Sequence, residues 1–110
     1  MLDEAIKSEE ASVQGAGSPP RNRRRELDQL LGRLEPEIAE LSKTHDEQAQ
    51  SIAGFAQVAA HEATRKEQNP RLLKLALECL RTSVEEFEAT HPRLVQIVTA
   101  ISNTLASMGI

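Results

Sequence analysis

The stretch "EFEATHPRLVQIV", residues 86–98, decides how this chain folds. Apolar residues recur at helical spacing on both sides of it, yet His91-Pro92 sits in the middle. Proline lacks a backbone donor and crowds the carbonyl four residues earlier, so helix interiors avoid it. A kink here makes the second half of the chain one long helix; a break makes it two. The apolar phase argues for continuity. Leu73, Leu77, Leu80, Val84, Phe87, His91, Leu94, Val98, Ile101, Leu105 and Met108 step by four and three without a slip. A loop would ordinarily reset that phase. Thr90, in turn, suits the cap of a fresh helix starting at His91 or Pro92. The reading leans slightly to a break or sharp kink that preserves overall direction.

The first half carries the same pattern. Leu27, Leu31, Leu34, Ile38 and Leu41 form a seam that runs on through His45 and Gln48 to Ile52, Phe55 and Ala59. Pro36 interrupts it, and a kink is expected there as well. Between the halves lies "RKEQNPRLL", residues 65–73. Asn69 is a good N-cap, and Pro70 falls at the first helical position, where a missing N–H costs nothing. Two arms follow, over about residues 26–67 and 70–108. Each has about 40 residues, on the order of 60 Å at helical rise. The fold class expected is all-α: an antiparallel helical hairpin with heptad-like seams, kinked or broken near Pro36 and Pro92. In that hairpin His45 lies level with His91-Pro92, so the polar break in one seam faces the polar break in the other.

A lone hairpin leaves apolar surface uncovered near its turn. Leu72, Leu75, Ala76 and Cys79 widen the second arm's seam, and Ile52, Phe55, Ala56 and Val58 lie across from them. These eight residues are the expected interface of a homodimer, two hairpins pairing into a four-helix bundle.

The totals bound the rest. The chain has 110 residues, room for one domain, and a formal charge of −4 with acids and bases mixed. That balance exerts no global pull toward nucleic acid or acidic lipid. Two Phe and no Trp or Tyr are thin material for a base-stacking platform or an aromatic-lined pocket. Cys79 is the sole cysteine, which fits a reducing, cytoplasmic setting. "MLDEAIKSEE" is acidic where a secretory leader needs a basic start and an apolar core. From Leu94 onward no side chain is charged, but Gln96, Thr99, Asn103 and Ser107 recur at helical spacing and mark a polar face, not a membrane span. Residues 1–25 read as a disordered tail ending in a basic linker, since "SVQGAGSPP" has no periodicity.

Candidate chemistry is sparse. Glu88 and His91 have the Glu-x-x-His spacing that places two metal ligands on one helix face, with His45 and Glu47 near the same level. The simpler reading is a polar layer that fixes register. "HEATR", residues 61–65, begins like the zinc-protease motif but has Arg65 where the second His belongs, so it fails. Cys79 has no neighbouring base to make a thiolate and reads as an inert, partly buried thiol. Arg21, Arg23, Arg24 and Arg25 can contact a polyanion, though without aromatics they supply only non-specific phosphate affinity, and Glu26 and Asp28 follow at once. The expected function is a non-enzymatic structural or protein-interaction module with no cofactor. The alternatives are a metal-binding bundle and, more weakly, a polyanion or nucleic-acid adaptor.

The core Phe87, Glu88, His91 and Pro92, the ending "LASMGI" and the Leu-rich "ELDQLLGRLEPEIAEL" resemble a small bacterial family, domain of unknown function 4404, over about residues 26–110. The resemblance implies an all-helical fold, no assigned activity and no catalytic residue. It also implies that the His-Pro step belongs to the family pattern. Pro36 departs from that pattern, in which the first helix runs uninterrupted.

Overall fold

The computed structural model describes residues 21–109. Over them the chain forms four α-helices and no strand: α1 (Arg21–Ser42), α2 (Asp46–Thr64), α3 (Pro70–Val84) and α4 (Pro92–Gly109). A 3-10 turn, Glu85–Phe87, extends α3. The expected tail lies, over residues 1–20, outside the described residues. Its last part is corrected: positions 21–25, read as linker, are the opening turns of α1.

Each expected arm is folded in half. α1 runs back along α2, so that Leu31 and Gln57 border the same grooves, with Arg24 and Thr64 at one end and Ile38 and Ala53 at the other. α4 runs back along α3. The side-chain amide of Gln68, just ahead of α3, reaches the carbonyl of Met108 near the end of α4 at 3.4 Å. α1 also packs on α4, and α2 on α3. The result is an up-down-up-down four-helix bundle within one chain. The expected bundle is therefore present, but the expected second chain is not needed to build it. The direction of the second arm is not preserved at His91-Pro92, which is a break with reversal.

The seam residues explain the packing. Leu27, Leu34, Leu41, Ile52, Leu73, Leu77, Leu80, Leu94, Val98, Ile101 and Leu105 are buried along the bundle axis. Each such side chain contributes about 1.5–3 kcal/mol relative to exposure. α2 supplies Ala49, Ala56, Ala59 and Ala63 to the same core. Its small side chains let the leucine-bearing helices approach closely and fill the interior. On α4, Gln96, Thr99, Asn103 and Ser107 are exposed opposite buried Leu94, Val98, Ile101 and Leu105, as the spacing predicts.

Pro36 does not interrupt α1. The carbonyl it leaves free belongs to Gly32, and both residues are exposed, so water can satisfy that group. The actual breaks lie at 43–45 and 88–91. At the first, Ser42, Thr44, His45 and Asp46 of "SKTHD" are weak helix formers. The Ser42 hydroxyl donates back to the carbonyl of Ala39 at 2.9 Å, which competes with helix continuation. Asp46 and Glu47 then open α2, where negative charge suits the helix N-terminus. The third reversal is the expected one: Asn69 Oδ1 accepts the amides of Arg71 and Leu72 at 3.1 and 3.2 Å, and Pro70 starts α3.

Candidate functional site

Two of the three reversals meet at one end of the bundle and are built alike. The His45 amide donates to the carbonyl of Leu41 at 2.8 Å, and the His91 amide donates to that of Phe87 at 2.8 Å. Each histidine carbonyl then accepts the amide four residues on, from Ala49 at 2.9 Å and from Val95 at 3.3 Å. Each histidine thus ends one helix and begins the next. Thr44 Oγ1 and His45 Nδ1 share a hydrogen bond of 2.8 Å, and Thr90 Oγ1 and His91 Nδ1 one of 3.0 Å. The two rings pack edge-on against Phe87, at centroid distances of 5.2 and 5.6 Å, and lie 6.5 Å from each other. His45 and His91 are level, as the hairpin register predicts, in a layer sealed by an almost fully buried Phe87. Thr44 and Thr90 were not anticipated. Their signal is the repeat of an apolar residue, two others and Thr-His in "LSKTH" (41–45) and "FEATH" (87–91).

This layer does not assemble a metal site. Glu47 and Glu88 are exposed, and among the described residues no three His, Cys, Asp or Glu side chains come together as a ligand set. Glu88 to His91 form the turn between α3 and α4 and not part of a continuous helix. The residues fit a joint between helices instead.

The arginines lie at the opposite end. Arg23, Arg24 and Arg25 are exposed on α1, and Arg23 pairs with Glu26 at 3.7 Å. Beside them, shallow grooves of about 310 and 360 Å³ run between α1 and α2. They exist because Ala53, Ala56 and Ala60 face Leu31, Leu34 and Ile38 without filling the space.

The α2–α3 side differs. Val58, Leu72 and Leu75 are 51%, 42% and 52% exposed, and all the exposed large hydrophobics of the described residues fall here. Cys79 is exposed beside them, which corrects the expectation of a partly buried thiol. On α3, Leu72 and Cys79 continue the flank of buried Ala76 at helical spacing. On α2, the flank carrying Phe55, Val58 and Glu62 is the one turned away from the α1 grooves. Counting back from the 65–69 connection sets Val58 level with the Ala76 to Cys79 turn. Glu62 sits in this surface with its side chain 11% exposed, held by Arg65 at 2.8 Å. Of the eight expected interface residues, Ile52, Ala56 and Ala76 are buried in the chain's own core and Phe55 is half-buried. Folding the arms in half consumed the inner part of that surface and left Val58, Leu72, Leu75 and Cys79 outside.

Among the described residues no helix is long and apolar enough to cross a membrane. The fold and surfaces define a small all-α four-helix bundle. The chain belongs to the family described as Domain of unknown function (DUF4404), whose model matches residues 27–110. No curated protein and no solved structure matches it significantly.

Proposed function

We propose that this chain is a non-enzymatic protein-interaction module that docks through the α2–α3 surface. One observation carries the reading: Val58, Leu72 and Leu75 are exposed on one face, while the other large hydrophobic side chains of the described residues are buried or partly buried. Concentrated apolar exposure is a liability in a free domain and an asset at an interface. Glu62 and Arg65 add a polar pair within that surface, of the kind that fixes orientation rather than affinity.

Capture from the native host tests this. The full chain, Leu75→Glu and a control on the polar face of α4, Asn103→Glu, are compared as baits, with circular dichroism confirming that all three are folded. The reading expects proteins retained by the wild type and the control to be lost from Leu75→Glu. Identical retention by all three baits would overturn it.

A further inference from the structure

We propose that the occupant of the α2–α3 surface is a second copy of this chain, seated antiparallel across a two-fold axis beside Leu75. The inference rests on the interaction-module reading above and names the partner. Its second support is the order of charge along α3. Arg71 and Lys74 lie in the first half of α3, with Lys66 just before it, and Glu78 lies in its second half, with Glu85 and Glu86 just beyond it. Glu67 and Arg81 run against the trend. A helix by itself prefers the opposite order, with acids at its N-terminus and bases at its C-terminus. The first turn of α3 contains no acid. Arg81 in the last turn meets that preference but Arg71 in the first turn does not, so the basic start of α3 is left to an external complement.

A two-fold axis perpendicular to α3 supplies one. It reverses the helix and lays the basic end of each copy along the acidic end of the other. A parallel arrangement would set like charges together. With the axis beside Leu75, the two Leu75 side chains meet. Leu72 of each copy then falls opposite the partner's Cys79. Arg71 falls opposite the partner's Glu78, on the same flank, because rotation about an axis in the interface plane keeps each flank on its own side. The Val58 side chains lie along one margin, so α2 borders its own copy as α3 does. An isologous contact of this kind closes on itself and does not propagate into filaments.

Sedimentation equilibrium of the full chain at high micromolar concentration, with charge-reversed variants, tests the arrangement. The wild type is expected to weigh as two chains, with association weakening as salt rises. Arg71→Glu and Glu78→Arg are each expected to raise the dimer dissociation constant by about tenfold or more, the scale of a lost interfacial charge pair. The double variant Arg71→Glu/Glu78→Arg should recover most of that loss. Leu75→Glu should dissociate the dimer with its helix content unchanged. A wild type that stays monomeric overturns the inference and leaves the interaction-module reading to the capture experiment. A dimer indifferent to Leu75→Glu overturns the surface in both readings. A dimer lost on either charge reversal but not recovered by the double variant overturns the antiparallel register alone.

Discussion

The reversal at 65–69 and the pair of reversals at 43–45 and 88–91 do the same job by different means. At 65–69 the chain announces its turn. Asn69 caps α3 through two backbone amides, Pro70 starts it, and the Gln68 side chain reaches the carbonyls of Ala63 and Met108, at the ends of α2 and α4. At 43–45 and 88–91 the apolar phase passes straight through, and the turn depends on contacts between the two loops. The lesson is that local capping chemistry and tertiary cross-bracing are interchangeable ways of reversing a chain. The first is complete within a few residues of the turn; the second leaves local marks, a Thr-His pair at each turn, that do not by themselves announce a reversal.

The comparison breaks most sharply at Phe87. Its ring serves both of the braced reversals, touching His45 from one and His91 from the other, and it is 2% exposed. Phe87→Ala should cost about 3–5 kcal/mol, the range for deleting a buried aromatic ring. Urea unfolding followed by circular dichroism measures it. Amide exchange is the sharper readout: His45 and Ala49 should lose protection along with His91 and Val95, although residue 87 is distant from His45 in sequence. A loss confined to residues near 91 would mean that the two reversals are independent. Phe87 would then be an ordinary core side chain.

The 65–69 reversal should respond on a smaller scale and more locally. Asn69→Ala removes the acceptor of the Arg71 and Leu72 amides, and caps of this kind are worth about 1 kcal/mol. Asn69→Asp should retain that stability, because a carboxylate accepts both amides and favours the helix N-terminus. If Asn69→Ala matched Phe87→Ala in cost, the distinction between local and braced turns would fail. The same result would follow if its effect on exchange spread to residues 43–45.

The legibility of the fold follows from this distinction. All-α character, the seams, the 65–69 turn and the polar face of α4 were readable because each is written in spacing or in adjacent residues. So was the level at which His45 and His91 meet, because that follows from the turn alone. Folding the arms in half was not readable. A bundle made from one chain folded over and a bundle made from two straight hairpins bury the same apolar stripe at the same level. The heptad phase therefore cannot tell them apart. The two forms are related as a closed chain is to its domain-swapped dimer. The error carried into the candidate interface. Ile52, Ala56 and Ala76 were assigned to a contact between chains, and the folded-back arms bury them internally. Val58, Leu72, Leu75 and Cys79 lie farther round their helices and stayed outside. Pro36 misled for a related reason: its cost depends on whether water reaches the carbonyl of Gly32, which spacing does not reveal.

The finest test separates the two braced reversals from each other. Both use a Thr hydroxyl on the Nδ1 of the following histidine, and both pairs are exposed enough that each bond is worth only about 0.5 kcal/mol. They differ in what else holds the next helix. α4 begins at Pro92, whose ring presets the backbone for a first helical turn. α2 begins after His45 without a side-chain cap and without proline. The Thr44 hydroxyl also reaches the carbonyl of Leu41 at 3.4 Å, a second role that Thr90 lacks among the described residues. Replacing each threonine by valine keeps the shape and removes the hydroxyl. Thr44→Val should therefore cost more than Thr90→Val, by a few tenths of a kcal/mol on the scale of weak exposed hydrogen bonds. Urea midpoints measured on both variants side by side resolve the order. Exchange at the His45 and His91 amides shows where each loss falls. An equal or reversed order would mean that Pro92 contributes nothing to the second joint beyond ending α3. The Thr-His pair would then be the whole device at both ends.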